Sequence, residues 1–288
     1  MAYLTAPLVI GSQLNITRGQ LLRFDSADLQ PKVLVPYEVS SIRMVAFPSV
    51  ETAQAAPLAT FKSTSLRGFL KFQFLLGTLP LTDHFVPMWN LTPERQRIAE
   101  FGGYFNWKFK RPLLIPPGGR IDAQVQLDPS TPSVGVSPIT VAVAYAGRLR
   151  ADLEVMPERI DVPFCSCWDP GDPQSPTPNA IANDWTTLRN PLKAPVTVHS
   201  LIARILNNET GREGDDSTEL QIFDPYGRTF NRFGTIQFHA EFPTDSREFP
   251  YTGTLETDQH FAVRLQTRPS ATYRPQISYL GTRRERTP

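Results

Sequence analysis

Apolar and polar residues alternate one by one over several stretches of this chain. Phe105, Trp107 and Phe109 alternate with Asn106, Lys108 and Lys110, and Ile121, Ala123, Val125 and Leu127 alternate with Asp122, Gln124 and Gln126. A period of two places all apolar side chains on one side of an extended backbone, so both stretches predict half-buried β-strands. Val141, Val143 and Tyr145 predict another. Later in the chain, Ile236, Phe238, Ala240 and Phe242 alternate with Gln237, His239 and Glu241. Phe261, Val263 and Leu265 follow the same rule, and Ile277 and Tyr279 close the series. The segment from Arg111 to Gly119, with Pro116, Pro117, Gly118 and Gly119, predicts a turn between neighbouring strands. The best helical signal runs from Thr92 as N-cap, with Pro93 at the first helical position, to Phe101 and the terminating Gly102. It predicts a short helix in a loop between strands.

The strand pattern occurs twice. Tyr145-Ala-Gly147-Arg-Leu-Arg150 is matched by Tyr279-Leu-Gly281-Thr-Arg-Arg284, and each ends an apolar strand. Pro36-Tyr-Glu-Val39-Ser-Ser41-Ile42 is matched by Pro195-Val-Thr-Val198-His-Ser200-Leu201. A repeat of this length exceeds the ~20–50 residues of solenoid units and points to two duplicated domains. In the shared ending, the tyrosine is expected to pack inward, the glycine to let the strand bend or bulge, and the arginine to return to solvent. The predicted division is 1–158 and 159–288, with Asp169 to Pro178 as a stiff, Pro-rich polar link. A stretch of similar length precedes Pro36 and Pro195, so each module is expected to open with an arm or edge strand.

Composition supports an all-β chain with many turns. Of 288 residues, 28 are proline, nearly twice the average of ~5%, and proline neither donates to a ladder nor continues a helix interior. The net charge of +1 gives no bulk electrostatic reason to bind nucleic acid or acidic lipid. The start of the chain lacks the basic and apolar regions of a signal peptide, so cytoplasmic synthesis is expected. Cys165 and Cys167 are too close in sequence to favour a mutual disulfide and supply half a metal site, so they read as structural thiols.

Candidate chemistry is sparse. The chain has no Gly-x-Ser-x-Gly elbow, phosphate loop, dinucleotide fingerprint or His-Glu-x-x-His helix. Its histidines, His84, His199, His239 and His260, are far apart. His239 and Glu241 would share a strand face as in metal-binding cupins, but the fuller His-x-His pattern is missing. Asp215, Asp216, Asp224 and Glu256 are acidic candidates for glycoside chemistry, and hydrated loop positions are the simpler reading. Trp89, Trp107, Trp168 and Trp185 could stack on sugars or bases, although aromatics more often fill β cores, and Trp107 is assigned there. Arg283, Arg284 and Arg286 form the one local basic cluster, read as the end of a module. The Asn15, Asn90 and Asn208 sequons are read as chance matches. No catalytic, cofactor-binding or metal-binding residue is assigned.

Two tandem antiparallel jelly-roll β-sandwiches with a short loop helix, a Pro-rich link and no catalytic motif resemble the double jelly-roll capsid proteins of the lineage that includes tectiviruses, corticoviruses and adenovirus hexon. The resemblance covers most of the chain. It implies a non-enzymatic viral structural protein, the major capsid protein of a bacteriophage, forming trimers whose six jelly rolls make a pseudo-hexagonal tile of an icosahedral shell. The implied location is the virion, and the implied partners are the chain itself, neighbouring trimers, penton and minor capsid proteins, and an inner membrane or the genome, with no small-molecule substrate. Expected contact elements are the arm before Pro36, the Thr92 to Phe101 helix, the Pro170 to Pro178 link and the arginine-bearing C-terminus. A minor capsid or vertex protein, and a two-module carbohydrate-binding or adhesion protein, remain alternatives because fold alone does not choose among them.

Overall fold

In a computed structural model, the described residues are 5–32, 34–48, 66, 68–92, 104–131, 138–169, 185–207, 219–228, 236–237, 248–265 and 273–288. The first series of strands is β1 (Thr5–Ile16), β2 (Leu21–Arg23), β3 (Tyr37–Pro48), β4 (Leu70–Leu76), β5 (Leu79–Pro80), β6 (Val86–Pro87), β7 (Tyr104–Ile115), β8 (Ile121–Leu127) and β9 (Ile139–Arg150). The second is β10 (Arg159–Trp168), β11 (Trp185–Arg189), β12 (Val196–Asn207), β13 (Glu219–Phe223), β14 (Ile236–Gln237), β15 (Glu248–Leu255), β16 (His260–Leu265) and β17 (Tyr273–Arg286). Every named strand pair is antiparallel.

Two sheets of the first series have the orders β1-β9-β3-β7 and β2-β8-β4-β5, and two of the second have β10-β17-β12-β15 and β11-β16-β13-β14. The second pair of orders repeats the first, strand for strand. Each series is a jelly-roll sandwich, with its first and last strands side by side in one sheet. The alternation of β8 is obeyed: Ile121, Ala123, Val125 and Leu127 are buried while Asp122, Gln124 and Gln126 are half-buried. The first core gathers Ile42, Phe72, Phe74, Trp107, Val125, Val143 and Tyr145, and the second gathers Trp168, Leu201, Phe261, Val263, Ile277 and Tyr279. Each large side chain moved from water into these cores contributes about 1.5–3 kcal/mol.

The shared ending has a sharper cause than strand bending. The register steps from Val39–Gly147 to Ser41–Ala146, and from Val198–Gly281 to Ser200–Leu280. The extra residue therefore sits in the neighbouring strand, as Ser40 in β3 and His199 in β12. Glycine is needed to let the bulged strand approach. A Cβ on Gly147 would lie 1.8 Å from the Glu38 carbonyl oxygen, and one on Gly281 would lie 2.5 Å from Val196 Cγ1 and 2.8 Å from the Thr197 carbonyl oxygen. Both tyrosines are fully buried. Tyr145 donates to the Ile121 carbonyl at 3.0 Å and Tyr279 to the Arg189 carbonyl at 3.2 Å, each reaching the opposite sheet.

Two expectations change, and a third falls almost wholly outside the described residues. Arg111 to Ile115 extend β7, and the turn is confined to Pro116–Gly119; β7 and β8 then enter different sheets. Pro112 is tolerated because β7 is an edge strand and its register with β3 jumps from Lys108 to Leu113 at that point. The one helical turn described here is 3₁₀, Met88–Leu91, just before the expected helix; residues 93–102 of that helix lie outside the described set. Asp169 follows β10, which pairs with β17, so the Pro-rich segment comes after the first strand of the second sandwich. Pro170 to Pro178 lie outside the described residues, as do Phe238, Ala240 and Phe242.

Candidate functional site: the seam between the sandwiches

The outer face of the β10-β17-β12-β15 sheet is covered by the first sandwich. β10 is consequently buried on both sides: Phe164 and Trp168 join the second core, while Cys165 and Cys167 join the first. A backbone zipper holds this contact, with Cys165 N donating to the Leu81 carbonyl and Asp83 N to the Cys165 carbonyl, both at 2.9 Å. Burial, then the nearby Asp83 carboxylate, pushes the Cys165 thiol well up. A thiol held protonated and shielded is inert as a nucleophile.

The centre of the seam is polar and buried. Lys71 Nζ lies 3.1 Å from both Asp128 Oδ2 and Asp169 Oδ2. Arg274 Nη2 donates to Asp128 Oδ2 at 3.1 Å, and Arg274 Nε lies 3.0 Å from Asp169 Oδ1. Each sandwich thus provides one cation and one carboxylate, and two of the four ion contacts, Lys71–Asp169 and Arg274–Asp128, cross between them. Burial alone would raise the Asp128 carboxyl, but Lys71, Arg274 and two hydrogen bonds from Ser130 outweigh it and hold the group at about 2. Gln276 donates to Asp169 at 2.9 Å and to the Gly68 carbonyl at 3.1 Å, while Trp89 Nε1 donates to Gln276 Oε1 at 2.5 Å. Asn90 donates to the Gln276 carbonyl at 3.1 Å, and Ser278 donates to the Asn90 carbonyl at 2.8 Å. Arg204 donates to the Trp89 and Thr92 carbonyls at 3.0 and 2.9 Å, its guanidinium 5.7 Å from the Trp89 ring. Such a network fixes one mutual orientation, since any slip strands buried charges.

Several singled-out residues belong to this seam. Trp89 and Asn90 are inside it, so the Asn90 sequon is buried. Arg283 turns inward, donating to the Pro80 carbonyl at 2.7 Å and to Glu285 at 2.7 Å, with its guanidinium 5.0 Å from the Phe164 ring. Burial lowers its pKa despite Glu285. Arg284 and Arg286 are exposed, so the expected basic cluster is split. Arg150, expected in solvent, is tied to Glu38 at 2.8 Å and to Asp152 at 2.7 Å.

The remaining candidates are not brought together. Asp224 caps its own turn, accepting from the main-chain N–H groups of Tyr226 and Arg228 and from Arg228 Nε. Glu256 is exposed. His84 lies 3.4 Å from Asp83, His199 contacts Thr282 Oγ1 at 2.8 Å, and His260 is half-buried on β16. Trp107 and Trp168 are buried in cores. Asp215, Asp216, His239, Glu241, Asn208 and the side chain of Trp185 lie outside the described residues. Among the described residues, no three His, Cys, Asp or Glu side chains cluster as a metal site requires, and no helix is long and apolar enough to cross a membrane.

No family model and no curated protein sequence matches the chain. Among solved structures, the STIV major capsid protein superposes with a TM-score of 0.51 at 10% identity, covering 96% of each chain. The major capsid protein P2 from Bacteriophage PM2 matches at a TM-score of 0.45 and 10% identity, over 96% of this chain and 97% of its own. The fold is the double jelly roll.

Proposed function

We propose that the chain is a viral structural protein, most concretely a major capsid protein that assembles as trimers into an icosahedral shell. The observation that carries this reading is the seam. Two jelly rolls clamped by Lys71, Asp128, Asp169 and Arg274 make one rigid block, which is what a shell subunit must be. The shared double jelly-roll fold supports the reading as analogy. In it, residues 1–158 and 159–288 are the two duplicated units, and the chain acts without catalysis, cofactor or metal.

The proposed location is the virion, after synthesis in the host cytoplasm. The proposed partners are neighbouring copies, penton and minor capsid proteins, and an inner membrane or the genome beneath the shell. Three of the tryptophans considered for sugar stacking, Trp89, Trp107 and Trp168, are buried, which disfavours the carbohydrate-binding alternative. Light scattering and negative-stain microscopy of the purified chain test the reading. Trimers that pack into hexagonal sheets or closed shells are expected; a lasting monomer with glycan affinity would overturn it.

A further inference from the structure

Lysine is seldom buried outright, because its ammonium loses hydration that few protein sites replace. Lys71 is 2% exposed. It lies on β4 between Leu70 and Phe72, which face the first core, so its own side chain faces the seam. There its Nζ meets one carboxylate from each sandwich at the same 3.1 Å, Asp128 Oδ2 and Asp169 Oδ2. Both carboxylates are buried, Asp169 completely.

The two carboxylates are held differently. Asp169 Oδ1 lies 3.0 Å from Arg274 Nε, and Asp169 Oδ2 accepts from Gln276 at 2.9 Å. Asp128 Oδ1 accepts from the main-chain N–H and the hydroxyl of Ser130, and the group stays ionised at neutral pH with its pKa at about 2. Asp169 therefore presents a carboxyl carbon with one oxygen beside a cation, while Asp128 presents a proton acceptor to the same amine.

We infer that Lys71 and Asp169 join in an isopeptide bond that ties the two sandwiches together covalently. One proton passes from Lys71 Nζ to Asp169 Oδ2 along their contact, leaving a neutral amine and a carboxylic acid. Nζ then attacks Asp169 Cγ, and the negative charge that develops on Oδ1 is balanced by Arg274. Asp128 takes a second proton from Nζ and delivers it to Asp169 Oδ2; the Cγ–Oδ2 bond breaks and water departs. The three protons of the ammonium end as one on the amide and two on the water, and Asp128 is again a carboxylate. No electron is transferred and no co-reactant is needed.

Burial sets the direction. In water an ion pair is favoured over its amide, but here four buried charges become two, and each buried ion carries a desolvation cost. The Arg274–Asp128 pair that remains is neutral as a whole. The fixed contact between Nζ and the carboxyl replaces a chance encounter. The step happens once in each chain, without turnover, and stands independently of the shell reading.

Mass spectrometry of the denatured chain tests the assignment. The wild type is expected to weigh one water less than its sequence, and its digest to contain a branched peptide joining Lys71 to Asp169. Asp169→Ala is expected to keep its full mass. In time courses of cell-free synthesis, Asp128→Asn is expected to form the bond about 10²-fold more slowly or worse, as loss of a proton carrier predicts. A wild type of full sequence mass, with Lys71 recovered in an unbranched peptide, overturns the proposal whether or not the variants fold. A water lost elsewhere, or a bond from Lys71 to Asp128, overturns it as well. An Asp128→Asn chain that cross-links as fast as the wild type overturns the role given to Asp128.

Discussion

The outer face of the β10-β17-β12-β15 sheet and that of the β1-β9-β3-β7 sheet share a strand order and a bulge, but one is closed within the chain and the other is open. The closed face carries Gln276, Ser278, Arg204, Ile202 and both cysteines, all buried; the open one carries Val9, Gly11, Gln13, Arg43, Val45 and three alanines, none of them buried. Polar groups can be committed to a contact that forms during folding, because every molecule forms it with one fixed geometry. A face left in water can mix small apolar residues with the exposed Gln13 and Arg43, because no burial demands partners for them.

The largest effect that would break this contrast is loss of Asp169. Asp169→Ala leaves Lys71 and Arg274 sharing one carboxylate in a buried seam and is expected to cost about 3–5 kcal/mol in denaturant unfolding. Gln13→Ala, at the matching exposed position, is expected to change stability by no more than about 0.5 kcal/mol. Equal costs would mean that the two faces do not differ as described.

The paired glycines sharpen the comparison. Gly147→Ala and Gly281→Ala are both expected to destabilise, each in the range of about 1–3 kcal/mol, with Gly147 the costlier. Its added Cβ meets a backbone oxygen at 1.8 Å, whereas that of Gly281 meets first a valine methyl, which can yield. Reversed order in thermal or chemical melts would contradict this ranking of the two close approaches.

Acid should act on the seam before it acts on the open face. The folded Asp128 pKa of about 2 lies below its ordinary 3.8, so its stabilisation is fully present above the unfolded value and is lost as pH falls from there through about 2. The linkage is ~2 kcal/mol. Unfolding measured between pH 5 and 2 should show this acid limb, and Asp128→Asn should flatten it. The smallest effect is expected for Arg111, whose exposed ion pair with Asp161 at 2.8 Å joins β7 to β10 outside the seam. Arg111→Ala should leave the melting curve unchanged.

The sandwiches were legible in the sequence because half-buried strands write their faces as alternation, as Ile121 to Leu127 do. The repeat was legible because a bulge opposite a glycine demands the same few residues wherever it recurs. The seam was not. Gln276 and Ser278 alternate with Ile277 and Tyr279, and that pattern is identical for a polar face turned to water and one turned to a second domain. Lys71, Asp128, Asp169 and Arg274 are each unremarkable alone and meet only through tertiary packing. One local signal did exist. The run Val162-Pro-Phe-Cys-Ser-Cys-Trp168 is apolar on both strand faces, the mark of a strand covered on both sides.

Thiol labelling of the Ala144→Cys chain, folded and in denaturant, tests the central claim that one outer face is closed by its own chain while the equivalent face is open. In the folded chain Cys165 and Cys167 are expected to stay unreactive while the introduced thiol reacts, and all three are expected to react once the chain unfolds. An introduced thiol as protected as the native cysteines, or native cysteines that label as fast as it does in the folded chain, would contradict it.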